Sequence, residues 1–331
     1  MGTIKRLSLS QVTGGFLFYK RAAGRAQSTL DGYHYTFEKL RLFFPDDPGF
    51  AAITRGQMVE FFAWLQNEHI TTPVGFAPRP SGRLAPKSIY NIYVNLKALW
   101  AWACREGYAD CNPVQAVDVP DYNPPAIEPF TRDEIRAILK ACRQTAEWQG
   151  RPGVVTQRQT ANRDTAIILV LLDTGIRASE LCNLAMSDVD LGNNRLRIRH
   201  GKGNKERYVS FGKGTARAMW KYITPLAVDR QPGDPFFMVD DEGTPRPFTR
   251  DVLHRLLSRL GERAGVQGRV HPHRFRHTFA ITYLRNDGDV FTLQEQLGHT
   301  DLTMVRRYLR IARADVAEAH RRASPVDNWR L

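Results

Sequence analysis

Residues 112 to 129, NPVQAVDVPDYNPPAIEP, hold five prolines in eighteen positions. Proline has no backbone N–H and fixes its own φ at about −65°, so no helix interior runs through such a stretch. Each residue before a proline is held extended as well. The segment therefore reads as a linker that divides the chain in two, and each part is long enough to bury its own core.

The part before the linker reads as four helices. The first spans about Ser8 to Arg25, and the second starts at Ser28 as N-cap, with Tyr33, Phe37, Leu40 and Phe44 at helical spacing. A third follows Thr54 and carries Met58, Phe61, Phe62 and Leu65, ending at the Pro- and Gly-rich loop 71 to 86. A fourth carries Ile89, Ile92, Tyr93, Leu96, Leu99 and Trp100 up to Gly107. The apolar stripes predict a small bundle.

After the linker, FTRDEIRAILKAC opens a helix with Thr131 as N-cap and Glu134 completing a capping box. Residues 144 to 161 are polar and read as a surface loop. An apolar helix runs from Arg163 to Asp173 and stops at Gly175, and another begins near Ala178. The period then changes: RLRIR (195 to 199) and RYVSF (207 to 211) alternate, predicting a β-hairpin with Lys202 and Lys205 near its tip. From Arg250 the pattern is helical again. The fold class is mainly α with a small β-sheet (α+β).

The chain of 331 residues carries 47 Lys and Arg against 34 Asp and Glu, a formal charge of +13. Up to Gln115 there are 13 basic and 8 acidic residues, net +5, which leaves +8 for the remainder. Both parts are basic, a pattern that suits a clamp on a polyanion such as nucleic acid. Cys104, Cys111, Cys142 and Cys182 are scattered and predict buried thiols rather than disulfides. The longest apolar run, AIILVLL (166 to 172), is far short of the ~20 residues a membrane span needs. The first residues lack the apolar core of a signal peptide, so a cytoplasmic protein is expected.

Three short stretches carry chemistry. In HPHRFRHTFA (271 to 280), His273 and His277 share a helix face as zinc ligands do, yet Arg274 stands where a metalloprotease has its glutamate. Two guanidinium groups would repel a dication, so no metal is expected. His273 and Arg276, three apart, are helix neighbours able to hold phosphate and exchange a proton. Phe275, Phe279 and Tyr283 bury another face. In TGIRASEL (174 to 181), Arg177 follows a helix-ending glycine, where it either meets a ligand or caps helix carbonyls, and Glu180 can orient it. In LGHTDLTMVRRYLR (297 to 310), Gly298 ends one helix and Thr300 can cap the next, so a break lets His299 and Tyr308 converge.

Together these stretches resemble the tyrosine recombinase (phage integrase) family, of the Xer-like two-domain type. Arg177 in TGIRASEL, Lys202 in GKGNKER, His273 and Arg276 in HPHRFRHTF, His299 in LGHTDLT and Tyr308 fill the family pattern in order. The resemblance implies a helical, SAM-like core-binding domain over 1–115, a linker over 116–130, and a catalytic domain with a C-terminal tail over 131–331. Too little chain precedes residue 8 for a separate arm-binding domain of the lambda-integrase type.

The implied activity is site-specific strand cleavage and rejoining through a 3′-phosphotyrosine on Tyr308, with no metal, ATP or other cofactor. Arg177 and Arg276 would clamp the phosphate and His299 would add a hydrogen bond. The resemblance gives His273 the role of proton acceptor and Lys202 that of protonating the leaving 5′ oxygen, with Lys205 as the alternative. His271 and His277 are left as supporting residues. The implied partner is double-stranded DNA with paired inverted sites, bound by four protomers linked through the tail, where Ile311, Val316 and Ala319 are available for packing. The alternatives are a type IB topoisomerase, which usually has Lys in place of His273, and a non-catalytic DNA-binding member of the fold.

Overall fold

The computed structural model describes residues 7–71, 82–119, 127–145, 156–199, 206–241 and 244–298, together with 308, 309, 311, 324, 326 and 329. The chain divides into two compact units, Met1–Pro125 and Ala126–Leu331. The proline-rich stretch is shared between them. Val114 and Val117 are buried in the core of the first unit, whereas Ile127 and Phe130 pack in the second.

In the first unit, α1 (Leu9–Ala22), α2 (Gln27–Phe43), α3 (Arg55–Asn67) and α4 (Pro86–Arg105) form the bundle. Ser8 and Thr54 each close a capping box, with Gln11 and Gln57 reaching back to the cap N–H. Ser28 is not the N-cap of α2. The helix starts two residues earlier because the Ala26 carbonyl already accepts from the N–H groups of Thr29 and Leu30. The core is rich in aromatics, with Phe50 stacked on Trp100 at 4.7 Å between ring centres. A two-residue pairing of β1 (Ile70–Thr71) with β2 (Gly82–Arg83) closes the loop between α3 and α4.

The second unit is built around α6 (Ala161–Thr174), whose Ala166, Ile167, Ile168, Val170 and Leu171 are all buried. Before it, α5 (Arg132–Arg143) begins at Thr131 with the expected Glu134 capping box. Of the polar segment 144 to 161, residues 146–155 lie outside the described ones, and its end is pinned by an Arg158–Asp164 ion pair at 2.9 Å. After the short α7 (Ala178–Cys182) comes an antiparallel sheet in the order β3 (Val189–Asp190), β4 (Arg195–Ile198), β5 (Arg207–Ser210). Leu196 pairs with Val209 and both face the core, as the alternation predicts. The strand β3 and a second hairpin, β6 (Met238–Asp241) with β7 (Thr244–Pro247), are additions to the sequence reading. Then α8 (Lys213–Ile223) precedes that hairpin, and α9 (Arg250–Arg263), α10 (Pro272–Arg285) and α11 (Val290–Leu297) follow it. No helix among the described residues is long and apolar enough to cross a membrane.

Candidate active site

Gly175 ends α6 in the left-handed region at φ +60°, and a Cβ there would stand 2.5 Å from Cδ1 of Phe279. Only glycine meets both demands. The turn delivers Arg177 in extended conformation to the N-terminus of α7, and Glu180 accepts the Arg177 N–H at 2.8 Å. Glu180 also accepts from Nη1 of Arg177 at 2.9 Å, which is the orienting contact expected from the sequence.

A second arginine shares that carboxylate. Arg207, at the start of β5, donates Nη1 and Nη2 to the two oxygens of Glu180 at 3.0 and 2.8 Å. Glu180 is only 6% exposed. Burial alone would raise its carboxyl, but the hydrogen bonds and charge of Arg207, then those of Arg177, bring it down to about 2. Sequence reading missed Arg207. The signal available was an arginine on the inward register of a strand, at Ile198↔Arg207, where an apolar residue is the usual occupant.

The three arginines converge on one helix end. Arg207 donates Nε to the Gln296 carbonyl at 3.1 Å, Arg276 donates Nη2 to that of Leu297 at 2.7 Å, and Arg177 donates Nη2 to that of Gly298 at 3.3 Å. These carbonyls close α11, where the backbone has acceptors without helical donors and the dipole is negative. Gly298 itself lies at φ +63°, and a Cβ on it would press within 3.0 Å of Cζ of Arg207. The Leu-Gly pair thus ends the helix and leaves a flat face against a guanidinium. Arg276 also donates Nη1 to the Gly175 carbonyl at 2.7 Å, tying the two glycine turns together. Burial, then the neighbouring Arg177 charge, lowers Arg276 to about 10.

On α10, His271 is the N-cap and its Nδ1 accepts the Arg274 N–H at 3.3 Å. Arg274 points away from the cluster. It donates to Glu134 at 2.9 Å and lies over the Phe130 ring, stapling α10 to the start of α5. His273 presents its ring at the surface. Desolvation by the protein around it, then the charges of Arg276, Arg177 and His254, hold it below the usual imidazole range. One turn on, His277 faces Tyr308, with Nδ1 and the phenolic oxygen 2.8 Å apart. Tyr308 is 1% exposed and packs among Phe279, Leu293 and Leu297. Lys202, Lys205 and His299 lie outside the described residues, as do Thr300, Val316 and Ala319. The strand pair that carries the lysine tip is closed by Ile198↔Arg207, and Gly298 directly precedes His299.

Among the described residues, three guanidinium groups and the Glu180 carboxylate therefore gather around the end of α11, a local charge of +2, with the Tyr308 phenol in the electrostatic reach of Arg276. Such a site is suited to a phosphate with a nucleophile at hand. No group of three or more His, Cys, Asp or Glu side chains among the described residues is placed to hold a metal.

Family comparison matches residues 128–314 to the phage integrase family and residues 18–119 to the phage integrase SAM-like domain. The chain is 30% identical over 249 residues to tyrosine recombinase XerC of Oceanobacillus iheyensis, covering 74% of this chain and 77% of that one. It is 27% identical over 246 residues to the XerC of Lactobacillus delbrueckii subsp. bulgaricus, covering 73% and 78%. Among solved structures, the Tn1549 transposon integrase in complex with transposon right end DNA matches with a TM-score of 0.70 at 18% identity, over 98% of this chain and 100% of that one. The XerH site-specific recombinase in its post-cleavage complex with palindromic difH substrate matches with a TM-score of 0.67 at 18% identity, over 97% and 85%. These two likenesses concern the fold, and the sequence matches decide the family. The glycine turns, the arginines they seat and the tyrosine beside them thus stand in a chain that belongs to the phage integrase family, the tyrosine recombinases.

Proposed function

We propose that this protein is a site-specific DNA recombinase that cleaves and rejoins strands through a 3′-phosphotyrosine intermediate on Tyr308. The observation that carries the reading is the net positive cluster of Arg177, Arg207, Arg276 and Glu180 at the end of α11, with the Tyr308 phenol in the electrostatic reach of Arg276. A phosphodiester entering that cluster would replace water with fixed donors for the charge that grows on its non-bridging oxygens. Tyr308 attacks phosphorus and the 5′ oxygen leaves; the reverse step, with a new 5′-hydroxyl, joins strands. The ester conserves the bond energy, so the scheme needs neither ATP nor metal.

Arg177 and Arg276 are the phosphate clamp in this scheme, and Arg207 and Glu180 hold Arg177 in place. The family resemblance adds Lys202, with Lys205 as alternative, as donor to the leaving 5′ oxygen, His299 as a further hydrogen bond to the phosphate, and His273 as proton acceptor. The charge of +13 supports binding to double-stranded DNA, dominated by phosphate contacts and weakened by salt. Paired inverted sites, a tetramer joined through the C-terminal tail and action in the cytoplasm complete the proposal.

The test is a duplex site chosen by the protein from a random pool, nicked so that the cleaved fragment diffuses away. The wild type accumulates a covalent protein–DNA adduct, and Tyr308→Phe binds the same site but forms none. Adduct formation by Tyr308→Phe would overturn the assignment. Paired sites on one plasmid should give recombinant products, whereas relaxation without recombinants would mean a topoisomerase.

A further inference from the structure

The imidazole in contact with the Tyr308 hydroxyl belongs to His277. Its Nδ1 lies 2.8 Å from the phenolic oxygen, with ring centres 5.5 Å apart. We propose that His277 is a catalytic residue: it accepts the hydrogen bond from Tyr308 and takes its proton as the phenolic oxygen attacks phosphorus. The proposal rests on the reading of Tyr308 as nucleophile and transfers to His277 the role that the family resemblance gives His273.

Three features carry it. A proton acceptor must be within hydrogen-bond reach of the proton it removes, and 2.8 Å satisfies that. A tyrosine with an ordinary pKa of about 10 is ionised to only about one part in a thousand at pH 7. Tyr308 is 1% exposed among Phe279, Leu293 and Leu297, so bulk water is a poor recipient for its proton. Finally, α10 puts its two imidazoles in different surroundings. The His273 ring is 6.5 Å from that of His277, is exposed, and lies in the field of Arg276 and Arg177, where it can serve the phosphate oxygens. The His277 ring is partly buried and turned to the nucleophile.

With the His277 ring proton on Nε2, the Nδ1 lone pair accepts from the tyrosine O–H. In the forward step the proton moves from the Tyr308 oxygen to Nδ1, the oxygen–phosphorus bond forms, and the bond from phosphorus to the 5′ oxygen breaks. The leaving oxygen takes a proton from the separate general acid assigned above. In the rejoining step the incoming 5′-hydroxyl returns its proton to that acid and the departing tyrosine recovers its own from His277.

The experiment measures single-turnover adduct formation by the full chain on the selected, nicked duplex, with His277→Gln, His277→Ala and His273→Gln compared at several pH values. His277→Gln keeps a hydrogen-bond acceptor but cannot take a proton at neutral pH. It should slow adduct formation by roughly 10²-fold or more at pH 7 with site binding retained, and the deficit should shrink as rising pH supplies hydroxide to take the proton instead. Added imidazole should restore part of the rate to His277→Ala, which a merely structural histidine would not allow. A substrate with sulfur as the bridging 5′ atom, whose thiolate leaves without a proton, should not rescue His277→Gln. A rate for His277→Gln within about threefold of wild type at pH 7, a deficit equal at every pH, or no imidazole rescue overturns the proposal. An adduct in Tyr308→Phe would instead overturn the nucleophile reading, so the two failures are separable.

Discussion

Replacing Arg207 by methionine keeps most of the side-chain stem and removes the charge that Glu180 relies on, and it should cost the fold about 3 kcal/mol. Two effects set that figure. A carboxyl held at about 2 instead of 4.5 reflects about 3 kcal/mol of net extra stabilisation of its charged form, at ~1.4 kcal/mol per pH unit, in which Arg207 is the largest favourable contributor, ahead of Arg177. Breaking a buried ion pair by removing one partner costs about 3–5 kcal/mol, and Glu180 retains its two bonds to Arg177, which puts the loss at the lower end. For a unit of this size the midpoint of thermal unfolding should fall by roughly 6–12 °C. The sign with pH follows from the lowered carboxyl: its contribution is complete above 4.5 and is lost as pH falls from there toward about 2. Circular dichroism melts of the wild type, Arg207→Met, Glu180→Gln and the double variant check this. The double variant should lose clearly less than the sum of the single losses, because each change removes the same pair. Additive losses, or an Arg207→Met midpoint within about 2 °C of wild type, would show that the two side chains are not coupled.

Two further outcomes are expected. Gly107 and Gly175 both have positive φ, at +74° and +60°, but only Gly175 has a neighbour in the path of a Cβ. Urea unfolding should therefore show Gly107→Ala losing about 1–2 kcal/mol from backbone strain and Gly175→Ala a further ~1–3 kcal/mol from displacing Phe279; equal losses would refute the packing argument. The His273 imidazole should titrate below 6.5, as followed by NMR with His273→Gln used to identify its signal, and a midpoint above 6.5 would contradict the surroundings described for it.

Local features were the most legible in the sequence. The capping box at Thr131, the alternation that pairs Leu196 with Val209, and the glycine stops at 175 and 298 each depend on residues close in the chain. The Glu180–Arg177 contact was legible for the same reason. Arg207 was not, because its partners at Glu180 and Gln296 are 27 and 89 positions away, and its inward place on the strand becomes a signal only once the register is known. The start of α2 was misplaced since Ser28 is a good cap by type, whereas the helix is entered through the Ala26 carbonyl without any side-chain cap. The β6–β7 hairpin escaped because Pro245 and Pro247 interrupt the alternation and suit an edge. The contact between His277 and Tyr308 spans 31 positions, and no periodicity links them.

The shared seat of the three arginines also bears on when the cluster can assemble. Arg177, Arg207 and Arg276 leave the ribosome in that order, yet each hangs on a carbonyl of residues 296 to 298. A nascent chain that lacks this corner has its basic surface but not the support that aligns the guanidinium groups. The cluster thus takes its final form only once the end of α11 has been made, however much earlier each arginine emerges.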